Sequence, residues 1–284
     1  MAAEKVRLAA EKATLLATLY GRALDARSPC PLLGDTLAAE TVGRIDHDFR
    51  RTGITRRTAT AVALRARFLD GWAREFLARH PEATVLHLGC GLDTRVHRLS
   101  PPPGVDWYDV DFPDVIELRR RLFPDRPGYT MVGASVTDPG WLARIPRDKP
   151  VLALAEGLVY YLDRDAGRAL LRRIAEGFAS GQIAFDALSR LGIRLQKLNT
   201  PVRKAGARMV WGIDGPADLL SISPRLRCVT ALSAFDMDGY ERLSMSARVA
   251  ARVMKVFPSM KHLAAFYRLE SGPGGAGDRD PGAC

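Results

Sequence analysis

Cysteine is scarce in this chain, with four in 284 residues at positions 30, 90, 228 and 284. No two form a CxxC pair, and none has a histidine at metal-ligand spacing. A disulfide framework and a structural zinc site are therefore not expected, and a reduced, cytoplasmic protein without bound metal is. Long apolar runs are lacking as well. The opening stretch MAAEKVRLAAEKATLLATLYGRAL is interrupted by Glu4, Lys5, Arg7, Glu11 and Lys12, which breaks any signal-peptide core. No other segment reaches a spanning length, so no membrane is expected among the partners. Clustered charge is also missing. The formal net charge of +10 could suit nucleic acid or an anionic surface, yet the arginines are spread along helix-like stretches with no basic block and no interleaved aromatics. Solvated arginine-rich faces explain them better, and no nucleic-acid partner is expected.

What is present is an ordinary globular composition, 47% hydrophobic and 26% charged. The length suits one large domain with a sizeable core. The chain is organised around TVLHLGCGLDTR, residues 84–95. Val85-Leu86-His87-Leu88 reads as a buried strand, Gly89-Cys90-Gly91 as a turn that admits close approach of a ligand, and Asp93 and Thr94 as the start of a helix. Such a junction is a nucleotide-cofactor site, although ordinary strand-to-helix turns also favour glycine.

Around it, the chain alternates strands and helices. An amphipathic helix is expected over residues 4–20, a helix after Asp35 with that aspartate as N-cap, and a long helix over 56–79 ending before Pro81. Asp46-His47-Asp48 invites a metal or acid/base reading, but a cap or solvated face explains it better. Further strands are expected over 105–111, 129–134, 150–155 and 182–187, with helices over 113–123 and 163–178. Residues 188–209 read as a basic helix, 226–232 and 263–269 as two last strands, and 244–256 as a helix between them. Residues 271–284, SGPGGAGDRDPGAC, read as a disordered tail. The alternation predicts an α/β fold, a doubly wound Rossmann-like sheet of about seven strands with added helices. The expected division is a single domain over 1–270. It comprises a helical cap (1–80), a cofactor-binding core (81–187), an inserted helical lid (188–225) and C-terminal strands and helix (226–270).

Asp111 lies 20 residues beyond Gly91 at the expected end of the second strand. That is the spacing at which an acid holds the ribose hydroxyls of a cofactor bound across such a sheet. Where a dinucleotide fingerprint has its third glycine, this chain has Thr94, which disfavours a packed pyrophosphate and a nicotinamide cofactor. It favours a nucleoside without phosphate, such as S-adenosylmethionine.

At this point four motifs, HLGCGLDTRVHRL, WYDVDFPDVIELRR, ALAEGLVYYL and WGIDGPADL, carry a resemblance covering most of the chain. They resemble the leucine carboxyl methyltransferase family, and within it the polyketide O-methyltransferases typified by the tetracenomycin enzyme. The segment TLYGRALDARSPCPLLGDTLAAETVGRIDHDFR resembles that branch too. The resemblance implies S-adenosyl-L-methionine as methyl donor, leaving as S-adenosyl-L-homocysteine. It implies Arg67 as partner of the methionyl carboxylate, Gly89, Cys90 and Gly91 as the bed of the methionine portion, and Asp111 with Phe112 at the ribose. It implies Glu156 with Gly157 near the methionyl ammonium. The plain alternative for Arg67 is a surface charge, and for Glu156 a turn cap; Arg65, two residues from Arg67, would point elsewhere on a helix, so only one of the two should reach. The family places an Asp-Leu pair after the third strand, its carboxylate accepting from the adenine amino group. Here Ser135-Val136 stands in that place, so adenine would rest on the Val136 backbone, with Ser135 a weaker partner.

The sulfonium makes the methyl group electrophilic, and the enzyme has mainly to align an acceptor oxygen and exclude water. A carboxylate acceptor needs no base, whereas a hydroxyl does. Tyr160, Tyr161, Tyr20 and His47 are the polar candidates nearest the expected cleft. Expected, then, is an S-adenosylmethionine-dependent O-methyltransferase acting on a small, polyketide-like molecule, as a monomer or weak homodimer. A protein C-terminal carboxyl methyltransferase and a cofactor-binding protein without catalysis are the competing readings.

Overall fold

In the computed structural model, which describes residues 4–5, 13–198 and 200–272, seven strands form one mixed sheet. They are β1 (Ala83–Leu88), β2 (Val105–Asp111), β3 (Tyr129–Gly133), β4 (Val151–Ala155), β5 (Gly181–Leu188), β6 (Leu226–Ser233) and β7 (Ala264–Ser271). Their spatial order is β3-β2-β1-β4-β5-β7-β6. Neighbours from β3 to β5 run parallel, and β7 enters antiparallel to both β5 and β6. The order reverses between β1 and β4, and at such a switch point the crevice beyond the strands' carboxyl ends is where ligands bind.

The central strands show why they lie inside. All six residues of β1 and all five of β4 are buried, as expected for parallel strands covered on both faces. The two-residue period sorts them. Leu86 and Leu88 pack with Ala153, Ile183 and Phe185 under the helix Arg164–Gly177, whereas Val85 joins Leu152, Leu154 and Ala184 against Trp72, Phe76 and Leu77 on the other side. Those last three belong to α3 (Arg56–Arg79), a 24-residue helix. Thr55 and Thr58 close a reciprocal capping box at its start, and it stops at His80, the residue before Pro81.

Helices α1 (Ala13–Ala26) and α2 (Thr36–Arg44) lie over the front of the sheet, with Leu15, Leu16, Leu19 and Ala38 in a core shared with Leu92 and with Val115 and Ile116. Asp35 caps α2 by accepting from Ala38 N. After β1 comes the short α4 (Arg95–Leu99), and after β2 comes α5 (Pro113–Leu122), with its proline in the first turn; α6 (Pro139–Leu142) precedes β4 and α7 (Arg164–Gly177) follows it.

Three expectations change. Of the helix expected over 4–20, Ala13–Tyr20 is helical and the helix runs on to Ala26, whereas Glu4–Lys5 pair as extended backbone with Ile45–Asp46; residues 6–12 lie outside the described residues. The basic helix expected over 188–209 is broken. Leu188 closes β5, and the chain continues as α8 (Arg190–Arg194), a 3-10 turn Gln196–Leu198 and α9 (Thr200–Ala205) before an irregular stretch that leads to α10 (Pro216–Leu220). Ser189 ends the run of pairing by capping α8, and Pro201 starts a new helix because it lacks an N–H to continue an old one. Ser271, expected to open a disordered tail, belongs to β7 instead; residues 273–284 lie outside the described residues.

Candidate active site

The carboxyl ends of β1 to β5 open into one cavity of about 660 Å3. The backbone builds its first wall. Leu88 pairs with Val110, and Gly89 N donates to Val110 O at 2.8 Å, so the glycine turn is held directly beside Asp111. Gly89 and Gly91 take φ of +59° and +49°, a region that costs other residues steric strain. A Cβ on Gly89 would also stand 2.8 Å from Leu158. Asp111 accepts from Gly91 N and from Phe112 N, both at 2.7 Å. Each carboxylate oxygen keeps a second acceptor site for a ligand hydroxyl. Burial raises the Asp111 pKa against the pull of those two amides.

Glu156 stands at the end of β4 between two guanidinium groups. Arg65 Nε donates to its Oε1 at 3.0 Å, and Arg95 Nη2 donates to its Oε2. Burial opposes ionisation of Glu156, but Arg65 and Arg95 outweigh it and hold the carboxyl below its ordinary value. Arg65 Nη1 further reaches Tyr160 Oη at 3.3 Å and Asp186 Oδ2 at 3.4 Å, and Asp186 Oδ1 accepts from Gly157 N at 2.6 Å. Burial raises Asp186 despite Arg65. Among the side chains facing the cavity, Arg65 is thus a guanidinium with a partly exposed edge (22%) surrounded by acids. A zwitterionic amino-acid end matches this site, its carboxylate toward Arg65 and its ammonium toward Glu156.

Behind this wall lies a buried ionic network. Arg95 Nε and Arg98 Nε donate to the two oxygens of Asp70 at 2.7 and 2.6 Å, and Arg98 Nη1 reaches Asp93 at 2.5 Å. Arg22 from α1 lies 3.5 Å from Asp35 and 3.9 Å from Asp93. Arg119, fully buried on α5, donates to the carbonyls of Gly91 and Asp93, both at 2.8 Å, and to Asp109. Asp109 also accepts from His87, Trp107 and Tyr129. Pinned carbonyls keep the glycine turn in its left-handed conformation, so the network sets the shape of this cavity wall.

Gly89, Cys90, Gly91, Asp111, Phe112, Ser135, Val136, Glu156, Gly157 and Tyr161 all line the cavity, as does Tyr160. Ser135 Oγ lies 2.9 Å from Thr137 Oγ1. Arg67 does not line it. Arg67 is exposed, and Arg65 is the arginine that α3 turns inward, because residues two apart on a helix face about 200° apart. Tyr20 and His47 are likewise outside the lining. Tyr20 stacks on Phe49 from the side of α1 opposite Thr14, Thr18 and Arg22, and His47 meets the edge of the same ring. Beside it, Asp48 caps the 3-10 turn Phe49–Thr52. The HD cluster is therefore a cap, and among the described residues no group of His, Cys, Asp and Glu could hold a metal ion.

Sequence reasoning missed Arg22, Arg65, His87, Asp93 and Asp186 as lining residues, and Arg95, Arg98 and Arg119 as their supports. One signal was available. Arg119 sits on the buried stripe of α5, four residues after Val115 and three after Ile116, where a surface arginine would not stand.

The far end of the cavity is apolar. Leu162, Val202 and Met209 line it from one side, and Phe235, Met237, Tyr240, Leu243 and Met254 from the other. The second group comes from residues 234–254, which had been assigned only to C-terminal strands and helix.

Residues 15–175 match the leucine carboxyl methyltransferase family. The chain is 48% identical over 233 residues to the tetracenomycin polyketide synthesis O-methyltransferase of Streptomyces glaucescens, covering 82% of this chain and 86% of that protein. It is 38% identical over 273 residues to an S-adenosyl-L-methionine-dependent methyltransferase of Gibberella zeae, covering 89% and 91%. Its fold matches the crystal structure of a candidate methyltransferase from Thermobifida fusca with a TM-score of 0.56 at 18% identity, over 89% of this chain and 94% of that one. With the family pattern matched over more than half its length and a relative at 48% identity across most of it, the chain belongs to the leucine carboxyl methyltransferase family.

Proposed function

We propose that this chain transfers the methyl group of S-adenosylmethionine to an oxygen of a small, largely apolar, polyketide-like acceptor. The observation that carries this reading is the division of one cavity into a polar cofactor end and an apolar acceptor end. Arg65 would hold the methionyl carboxylate, Glu156 the ammonium, Asp111 the ribose hydroxyls, and Ser135-Val136 the adenine edge. These residues fit the cofactor in charge and order. When bound, it supplies an electrophilic methyl group. The protein's part is to hold the acceptor oxygen in line with the bond that breaks and to keep water out.

The acceptor end suits a flat aromatic body, with Phe235, Tyr240 and Phe266 among its walls and Met209, Met237 and Met254 as adaptable fillers. Tyr161, hydrogen-bonded to Thr14 of α1, stands where polar and apolar ends meet and would orient the acceptor oxygen. Burial raises its pKa, so it serves as a hydrogen-bond donor and not as a base. The apolar, aromatic-walled far end of the cavity favours a small molecule over the C-terminus of a protein. No helix among the described residues is long and apolar enough to cross a membrane. The test is calorimetry with S-adenosylmethionine, followed by a mass-shift screen over aromatic acids and phenols. Cofactor binding with methyl transfer to at least one of them is expected; transfer to a C-terminal peptide and to none of the small molecules would overturn the acceptor assignment.

A further inference from the structure

The helix α11 (Met245–Val256), with the turn that follows it, is apolar on two opposite sides. One side carries Ala247 and Met254 into the cavity wall. The other carries Met245, Val249, Val253 and Val256, at spacings of four, four and three, and stands in solvent. Their exposures are 77%, 52%, 54% and 75%, and Phe257 beside them is 52% exposed. On a helix these four residues fall within one face about 80° wide. Among the described residues, half of the exposed large hydrophobic side chains are in this one segment. Scattered apolar surface is normal, whereas a contiguous stripe marks a contact.

Charge says what the stripe meets. Arg248 and Arg252 flank it, Lys255 stands one turn on, and Lys261 follows, while residues 243–263 contain no Asp or Glu. Lys255 is paired with Asp236; among the described residues no ion pair involves Arg248, Arg252 or Lys261. We propose that the outward face of α11 adsorbs to an anionic lipid surface, its aliphatic side chains entering the boundary layer and its basic flank meeting the head groups. An exposed apolar face with a basic flank on a short helix is the form of an interfacial helix. The stripe projects from a single helix and offers no groove, so it suits a surface without fixed shape. A second copy of this chain fits less well. A symmetric contact would bring two such basic flanks together, on molecules that each carry a net charge of +10, with no acid in the segment to compensate.

The expectation of no membrane partner rested on span length, which excludes embedding and not adsorption. Because the same helix roofs the cavity, adsorption would set the acceptor end facing the bilayer, from which an apolar molecule could enter. Only that last link rests on the proposed acceptor class.

The test is cosedimentation of the full chain, without cofactor or acceptor, with vesicles of zwitterionic lipid alone and with 30% anionic lipid. Binding is expected on anionic vesicles, with at least tenfold less on zwitterionic ones and a steep loss with added salt. Val249→Asp/Val253→Asp should lose binding at least tenfold while keeping the melting temperature, and Arg248→Gln/Arg252→Gln should lose part of it. Absence of binding to anionic vesicles, or equal binding by the valine pair, would overturn the proposal. So would light scattering showing a dimer that the valine substitutions convert to monomer, or equal binding to both lipid compositions. Methyl transfer to a dissolved acceptor by the Val249→Asp/Val253→Asp protein separates failure of the surface from failure of the enzymatic reading.

Discussion

Arg65 and Arg67 show how much one helical position decides. Both are arginines in RARFLD, but only Arg65 turns toward Glu156 and Asp186. Arg65→Gln should weaken S-adenosylmethionine binding at least tenfold by calorimetry, whereas Arg67→Gln should stay within twofold. A charge-assisted hydrogen bond contributes about 1.5–3 kcal/mol, enough for the first effect, and an exposed arginine contributes little. A thermal melt of Arg65→Gln checks that the acids left beside it have not unfolded the wall. At Ser135 the opposite change is expected. Ser135→Asp supplies a carboxylate for the adenine amino group and should tighten binding severalfold; unchanged or weaker binding would place adenine elsewhere. Gly91→Ala forces a methyl group into a φ of +49°, 3.2 Å from Leu15 Cβ. A residue in that region costs about 1–2 kcal/mol, and the loss should be visible in both melting temperature and cofactor affinity.

Among the elements, α3, α4 and the glycine turn act as one unit because Asp70 ties them. It is fully buried and accepts from both Arg95 and Arg98. Removing one partner of such a buried pair costs about 3–5 kcal/mol, since it leaves uncompensated charge behind. Asp70→Ala should therefore lower stability by that order in denaturant titration, and should weaken cofactor binding through Arg95 and Glu156 without touching the ligand. A loss under 1 kcal/mol would show that the network is not what holds the turn. The bounds of the long helix itself, 56–79, were legible, with its end marked by Pro81. Its buried aspartate was not. A lone Asp among apolar neighbours reads as a solvated interruption until the arginines of α4, 25 and 28 residues later, are brought beside it.

For the molecule as a whole, the same network sets the response to acid. Asp70, Asp93, Asp109 and Glu156 all have folded pKa values below their ordinary ones; in each, burial opposes ionisation and the neighbouring arginines outweigh it. A carboxyl depressed in the folded state binds fewer protons there than in the unfolded chain, so its stabilisation is present above the unfolded value of about 4 and lost as pH falls below it. The melting temperature should hold between pH 7 and 5 and drop steeply below about pH 4. Asp111 and Asp186, raised by burial, act in the opposite sense and should blunt the gain at higher pH. The sequence by itself determined the parallel strands, the long helix, the glycine turn with Asp111, and the family, because these are local patterns of period, spacing and motif. Only the tertiary structure decided which arginine faces the polar end of the cavity, which acids are buried, and that residues 234–254 wall its apolar end. Such facts depend on which helix face meets which strand end across long sequence separations, and local spacing carries no record of that.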